Sequence, residues 1–167
     1  MPATRDELFA RLTELGIATS TVDHEPVFTV GESTALERDL PGGHTKNLFL
    51  KDAKGRLFLV TAEAHAAVDL KSLHKRLGCA RLSFGKAELL MEVLGVPPGS
   101  VTAFSLINDP EGRVSFVLDQ RLMQFETINC HPLVNTATTN IARDDLLRFI
   151  RASGHEPHVI QLEGPIV

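Results

Sequence analysis

Two side chains stand out for chemistry, Lys46 and His131. Lys46 follows the glycine-rich turn Pro41-Gly42-Gly43-His44-Thr45 and opens the alternating run Asn47-Leu48-Phe49-Leu50. A cation there, beside the amide of Asn47, is placed to meet an anionic or ester substrate. The plain alternative is a solvent-exposed lysine, which most lysines are. His131 sits in Asn129-Cys130-His131-Pro132-Leu133-Val134-Asn135-Thr136-Ala137-Thr138-Thr139. Pro132 stiffens that loop, and Asn135, Thr136, Thr138 and Thr139 can line a pocket with short hydrogen-bonding groups. Taken alone, His131 reads more readily as a satisfied core histidine than as a functional residue.

Other chemistries find less support. His155 and His158 are three apart, but Pro157 intervenes and no cysteine or carboxylate cluster joins them. His44, His65 and His74 are isolated, whereas zinc sites draw three or four spaced ligands. No metal or cofactor is therefore expected. There is no G-x-S-x-G elbow, and Ser100 in its loop has no evident base. Cys130 and His131 are adjacent on a strand, so they face opposite sides and make a poor nucleophile–base pair. Cys130 reads as a small buried apolar residue. Gly42-Gly43 lacks the spacing of a phosphate-binding P-loop.

The elements that must position these residues follow from local signals. Thr4 caps a first helix with Glu7 at the capping-box position, and Gly16 ends it. Residues 17–22 read as a strand leading to the turn His24-Glu25-Pro26, and residues 31–40 as a short helix. Lys46 then stands at the mouth of a hairpin whose second strand is Arg56-Leu57-Phe58-Leu59-Val60. Asp69 caps a helix over residues 70–77, ended by Gly78; another over residues 86–94 ends at Gly95. Residues 101–107 and 113–118 read as a hairpin across Asn108-Asp109-Pro110-Glu111-Gly112. Strands over residues 124–129 and 137–141 flank the His131 loop, followed by a helix over 144–152 and a strand over 158–162. Helices and strands intermix without βαβ alternation. That predicts an α+β fold with a mixed, strongly curved sheet, in one domain spanning residues 1–167.

Composition sets the outer bounds. The chain has 167 residues, 43% hydrophobic and 23% charged, enough for one domain with a substantial core. No apolar run reaches the ~20 residues of a bilayer span. The polar N-terminus does not read as a signal peptide, and two distant cysteines fit a reducing cytoplasm. The net charge of −4 argues against nucleic acid only on average. Lys71, Lys75, Arg76, Arg81 and Lys86 share one short window, readable as a solvated helix face or as a phosphate-binding patch. With no Trp or Tyr, a broad stacking platform for single strands is not expected.

The longer motifs carry a resemblance. His24-Glu25-Pro26, Thr45-Lys46-Asn47-Leu48-Phe49-Leu50, Gly95-Val96-Pro97-Pro98-Gly99-Ser100-Val101-Thr102 and Cys130-His131-Pro132-Leu133-Val134-Asn135-Thr136-Ala137-Thr138 resemble the YbaK-like aminoacyl-tRNA deacylases. These are also known as prolyl-tRNA synthetase-associated or editing domains. The last two segments look like the free-standing ProXp-ala (PrdX) subgroup. The resemblance runs nearly end to end and implies a single-domain YbaK-like fold, a curved mixed sheet surrounded by helices. It implies trans-editing hydrolysis of mischarged Ala-tRNA(Pro) by water, without metal or protein nucleophile.

By that resemblance Lys46 contacts the terminal adenosine or its phosphate, Asn47 orients the substrate, His131 positions the aminoacyl end and the Gly99 N–H holds the ester carbonyl. Val27, Phe28 and Val30, with Ser100, Thr136 and Thr138, would shape the substrate pocket. Lys71, Lys75, Arg76, Arg81 and Lys86 would hold acceptor-stem phosphates. Ala103 stands where many relatives carry the proline of a G-x-x-x-P loop. The implied partner is the acceptor end of mischarged tRNA(Pro), with prolyl-tRNA synthetase or an elongation factor as further candidates. No membrane association is expected, and a monomer is the working expectation. Two alternatives stay open: a deacylase of Cys-tRNA(Pro) or Ser-tRNA, or a non-catalytic module binding tRNA or a synthetase.

Overall fold

Alternating apolar residues make the central hairpin the organising unit. The computed structural model describes residues 1–26 and 39–165. The helix expected over 31–40 and the pocket residues Val27, Phe28 and Val30 fall, wholly or mostly, outside them. Strand β1 is Thr19–Asp23, β2 Gly43–Asp52, β3 Leu57–Glu63, β4 Leu82–Phe84, β5 Val114–Asp119, β6 Thr127–Cys130, β7 Ala137–Ala142 and β8 His158–Ile160. Helices are α1 Arg5–Glu14, α2 Leu70–Leu77, α3 Ala87–Leu94 and α4 Arg143–Ala152. The eight strands form one mixed sheet in the order β1-β7-β6-β2-β3-β5-β8, with β4 added against β2.

Side-chain alternation splits the core in two. Phe49, Leu57, Leu59, Phe116 and Leu118 face one side, where they pack with Leu8 and Leu12 of α1, Leu90, Val93 and Leu94 of α3, and Leu146, Phe149 and Ile150 of α4. Leu50, Phe58, Val60, Ala62 and Val117 face the other, against Leu73 of α2 and Leu162. The caps are those the residue types predict. Thr4 and Glu7 exchange the two bonds of a capping box, and Asp69 accepts from the Lys71 N–H. Gly78 and Gly95 end α2 and α3 in left-handed conformation.

Residues 101–107 depart from expectation. Ala103–Asn108 forms a 3₁₀ helix, not a strand. Thr102 accepts from the Phe104 N–H and the Ser105 hydroxyl accepts from the Thr102 N–H. These local bonds outcompete extension. No hairpin follows: β5 runs parallel between β3 and β8. Residues 120–124, next to the expected strand at 124–129, form a second 3₁₀ helix. Asp119 caps it by accepting from the Arg121 N–H.

Candidate functional site

The site begins at a break in one sheet ladder. Strand β3 pairs with β2 along one edge, from Thr45 to Lys51. The opposite edge pairs with β6 at Gly43 and His44, then with β4 at Leu50, Lys51 and Asp52. Between these pairings, the stretch around Lys46, Asn47 and Leu48 has no strand partner on that edge among the described residues. With β6 ending its pairing at His44 and β4 beginning only at Leu50, the backbone and side chains between them face a gap.

The glycine pair before Lys46 has a packing cause. A Cβ on Gly42 would lie 2.4 Å from Thr127 Oγ1, and one on Gly43 2.7 Å from the Phe125 ring. Gly42 also holds φ +101, a conformation L side chains rarely adopt. The glycines therefore seat β2 tightly on β6, and this fixes the register from which Lys46 projects.

That register aligns the two singled-out residues. His44 lies opposite Asn129, so Lys46 and His131 each sit two residues beyond the same bridge and project from the same face. Thr138 continues this row on β7, and His24 follows β1. The Thr138 hydroxyl donates to His24 Nε2 at 2.8 Å, while His24 Nδ1 donates to the Glu25 carbonyl. The His24 N–H donates to the Thr136 carbonyl at 2.8 Å. Beneath the row, Asn129 Nδ2 donates to the carbonyls of Pro41 and Gly43, and Asn140 Nδ2 to Asn129 Oδ1. This polar lattice pins residues 41–43 against β6 and β7.

Lys46 Nζ donates to the Ala66 carbonyl, at the turn between β3 and α2. The ammonium is thereby directed across the end of β3. Asn47 projects to the opposite face, where Thr61 Oγ1 donates to its Oδ1 at 2.5 Å. Thr45 Oγ1 donates to the Asn129 carbonyl at 2.8 Å, tying β2 to β6 just before the gap.

His131 Nδ1 donates to the Ala137 carbonyl at 3.0 Å, which fixes the tautomer and leaves Nε2 as the ring's acceptor. Burial lowers its pKa below 6.5, with the nearby His24 acting in the same direction, against the raising effect of the Ala137 hydrogen bond. The ring therefore stays neutral at neutral pH. The unfolded chain binds a proton near pH 6.5 that the folded chain resists. His131 thus costs stability as pH falls through that value, until its folded-state pKa is passed. Replacing His131 by Gln is expected to make folding stability less pH-dependent below pH 6.5, read by urea unfolding at pH 7.5 and 5.5. An unchanged pH dependence would contradict the buried, neutral ring.

Around His131 the loop is held firmly. Leu133 adopts φ 68, unfavourable for a bulky L residue, yet is buried in the core. Gly99 (φ +92) approaches the same loop; a Cβ there would sit 3.8 Å from Asn135 Nδ2. Ser100 is buried, with its N–H donating to the Pro97 carbonyl. Thr136 is exposed on the β6–β7 connection. Cys130 lies fully inside, its thiol pushed up to about 12 by burial, so it remains protonated at neutral pH.

The basic window divides. Lys71, Lys75, Arg81 and Lys86 are exposed. Arg76 is engaged by its own chain, donating to the carbonyls of Gln161 and Gly164. Among the described residues no group of three His, Cys, Asp or Glu side chains could hold a metal ion. None of the described helices is long and apolar enough to cross a membrane. His24 was not singled out by its residue type; only its place just past β1, where its ring reaches the Thr138 hydroxyl, brings it to the site.

Comparisons with known proteins give a family and a fold. The family model described as "Aminoacyl-tRNA editing domain" matches residues 24–149, a span containing Lys46, Gly99 and His131. The chain is 40% identical over 161 residues to "Prolyl-tRNA synthetase associated domain-containing protein 1" of Danio rerio, covering 95% of this chain and 88% of that protein. It is 33% identical over 159 residues to "Prolyl-tRNA editing protein ProX" of Acetoanaerobium sticklandii, covering 95% and 97%. A crystal structure of a proposed trans-editing enzyme for prolyl tRNA synthetase shares the fold, with TM-score 0.70 at 17% identity over 98% of this chain and 100% of that one.

Proposed function

We propose that this chain, which belongs to the aminoacyl-tRNA editing domain family, acts as a trans-editing deacylase on mischarged Ala-tRNA(Pro). The observation carrying the reading is the break in the β2 ladder, where Lys46 and His131 come level on one face. A nucleotide ester needs its anionic and acyl ends held at once, and a cation beside a neutral imidazole in a gap between strands can do both.

The chemistry is water addition to the aminoacyl ester carbonyl. The bond to the ribose oxygen then breaks, giving free alanine and the tRNA hydroxyl. The neighbouring ribose hydroxyl assists, and the protein contributes positioning and charge stabilisation. Lys46 holds the terminal adenosine or its phosphate. His131 Nε2, fixed as an acceptor, receives a hydrogen bond from the substrate's α-ammonium. Asn47, braced by Thr61 on the opposite face, orients the substrate indirectly by fixing the part of β2 that carries Lys46. The Gly99 N–H holds the ester carbonyl, a kind of contact whose loss costs about 3 kcal/mol of barrier. Ser100, Thr136 and Thr138 contribute to the substrate pocket. Lys71, Lys75, Arg81 and Lys86 contact the tRNA backbone, and Arg76 holds the chain's C-terminal segment beneath them.

The need for such an activity is energetic. A site shaped for proline rejects the smaller alanine by only about 1–3 kcal/mol, so a second, size-excluding site removes the error. The test is incubation with Ala-, Ser- and Cys-tRNA(Pro). Loss of the alanyl ester alone supports the reading. Preferential loss of the seryl or cysteinyl ester assigns a different substrate, and no loss of any ester reduces the chain to a binding module.

A further inference from the structure

We infer that Phe84 is a stacking platform for an unpaired base of the tRNA 3′ end, an inference that rests on the deacylase reading above. Phe84 is the most exposed aromatic side chain among the described residues, at 61%. It ends the three-residue strand β4, which pairs only with β2 among the described residues. Its exposure is imposed by its neighbour. The Gly85 N–H donates to the Phe49 carbonyl, and a Cβ on Gly85 would lie 2.3 Å from the Phe49 ring. Gly85 therefore presses against the core side, and Phe84 must point to the other.

That other side is the Lys46 side. Phe84 lies opposite Leu50, on the same edge of β2 that opens at the gap, and Leu50 shares its face with Lys46. Four residues of strand separate Lys46 from Leu50, about 13 Å at the usual rise. The 3′ end of a tRNA is single-stranded, so it can follow this edge from an ester bound at Lys46 to a base lying on Phe84.

Phe84 also borders an open cleft of about 570 Å³. Lys51 and Lys86 line it together with Asp52, Glu88 and Glu92, so its charge is mixed, and Glu92 is paired with Arg113 at 3.0 Å. The exposed ring itself, beside an open strand edge, suits a nucleobase.

The chain has no tryptophan, so Phe84→Trp supplies a single fluorescent probe. Uncharged tRNA(Pro) with its CCA end is expected to quench that fluorescence, whereas the same tRNA lacking CCA leaves it bright. Phe84→Ala is expected to weaken tRNA binding about 5- to 150-fold, the range of one base stacked on an aromatic ring, while Phe84→Trp retains wild-type affinity. Unquenched fluorescence, or Phe84→Ala binding like wild type, overturns the stacking role. So does self-association of the chain that Phe84→Ala abolishes, which would assign the ring to a protein contact. Wild-type protein that hydrolyses no aminoacyl-tRNA would instead remove the deacylase reading itself.

Discussion

Lys46→Ala is expected to lose about 100- to 1,000-fold in the rate of deacylation, the usual consequence of removing one preorganised charged donor. The fold should survive. Lys46 contributes one hydrogen bond, to the Ala66 carbonyl, and a single net hydrogen bond is worth about 1 kcal/mol. The strand that carries it is held independently, by its β3 pairing and by the seating of Gly42 and Gly43 on Thr127 and Phe125. Single-turnover deacylation and a thermal melt of the same preparation separate the two effects. Wild-type turnover in the variant would remove Lys46 from the mechanism. Arginine is not an equivalent replacement, because a planar fork does not replicate a compact ammonium held against one carbonyl.

The second large effect is on stability. Asp109→Ala is expected to cost about 3–5 kcal/mol of folding free energy, measured by urea unfolding. The side chains of Asp109 and His155 are each only 2% exposed, and His155 Nε2 donates to Asp109 Oδ2 at 2.9 Å. The same carboxylate accepts from the N–H groups of Arg113 at 3.0 Å and Val114 at 2.9 Å. One residue thus terminates the 3₁₀ helix, starts β5 and anchors the segment after α4. Truncation strands all three donors, two of them in the buried interior, where each unsatisfied polar group is penalised. His155 Nδ1 has no hydrogen-bond partner among the described residues, so the ring is held to this carboxylate through Nε2. A loss under about 1 kcal/mol would show that the region relaxes to let water in.

Much of this architecture is legible locally. Thr4 with Glu7, Asp69 with Gly78, and Gly95 each declare a helix end through side-chain chemistry a few residues away. The β2–β3 hairpin follows from alternation and the Ala53-Lys54-Gly55 turn, to which Asp52 adds by accepting from the Lys54 and Arg56 N–H groups. Residues 101–107 misled because a short apolar run fits a strand or a tight helix equally, and a pair of hydroxyl bonds at Thr102 and Ser105 decides. The parallel neighbours of β5 lie far away in sequence, so no local pattern reveals them.

The site shows the same division. Lys46 and His131 are conspicuous by residue type and local sequence, but the gap that they flank arises from which strands leave β2 and where. His24 gains its place only through β1–β7 pairing. Arg76 reads as one more cation in a basic window, and nothing nearby predicts that it grips carbonyls some 85 residues onward. The exposure of Phe84 follows from Gly85 meeting Phe49, again across strands.

The most direct test of the central claim is a side-by-side single-turnover assay of Ala-tRNA(Pro) and Pro-tRNA(Pro) with the purified chain. The alanyl ester is expected to disappear while the prolyl ester stays intact over the same interval. Equal rates for the two esters, or an alanyl ester as long-lived as without protein, would contradict it.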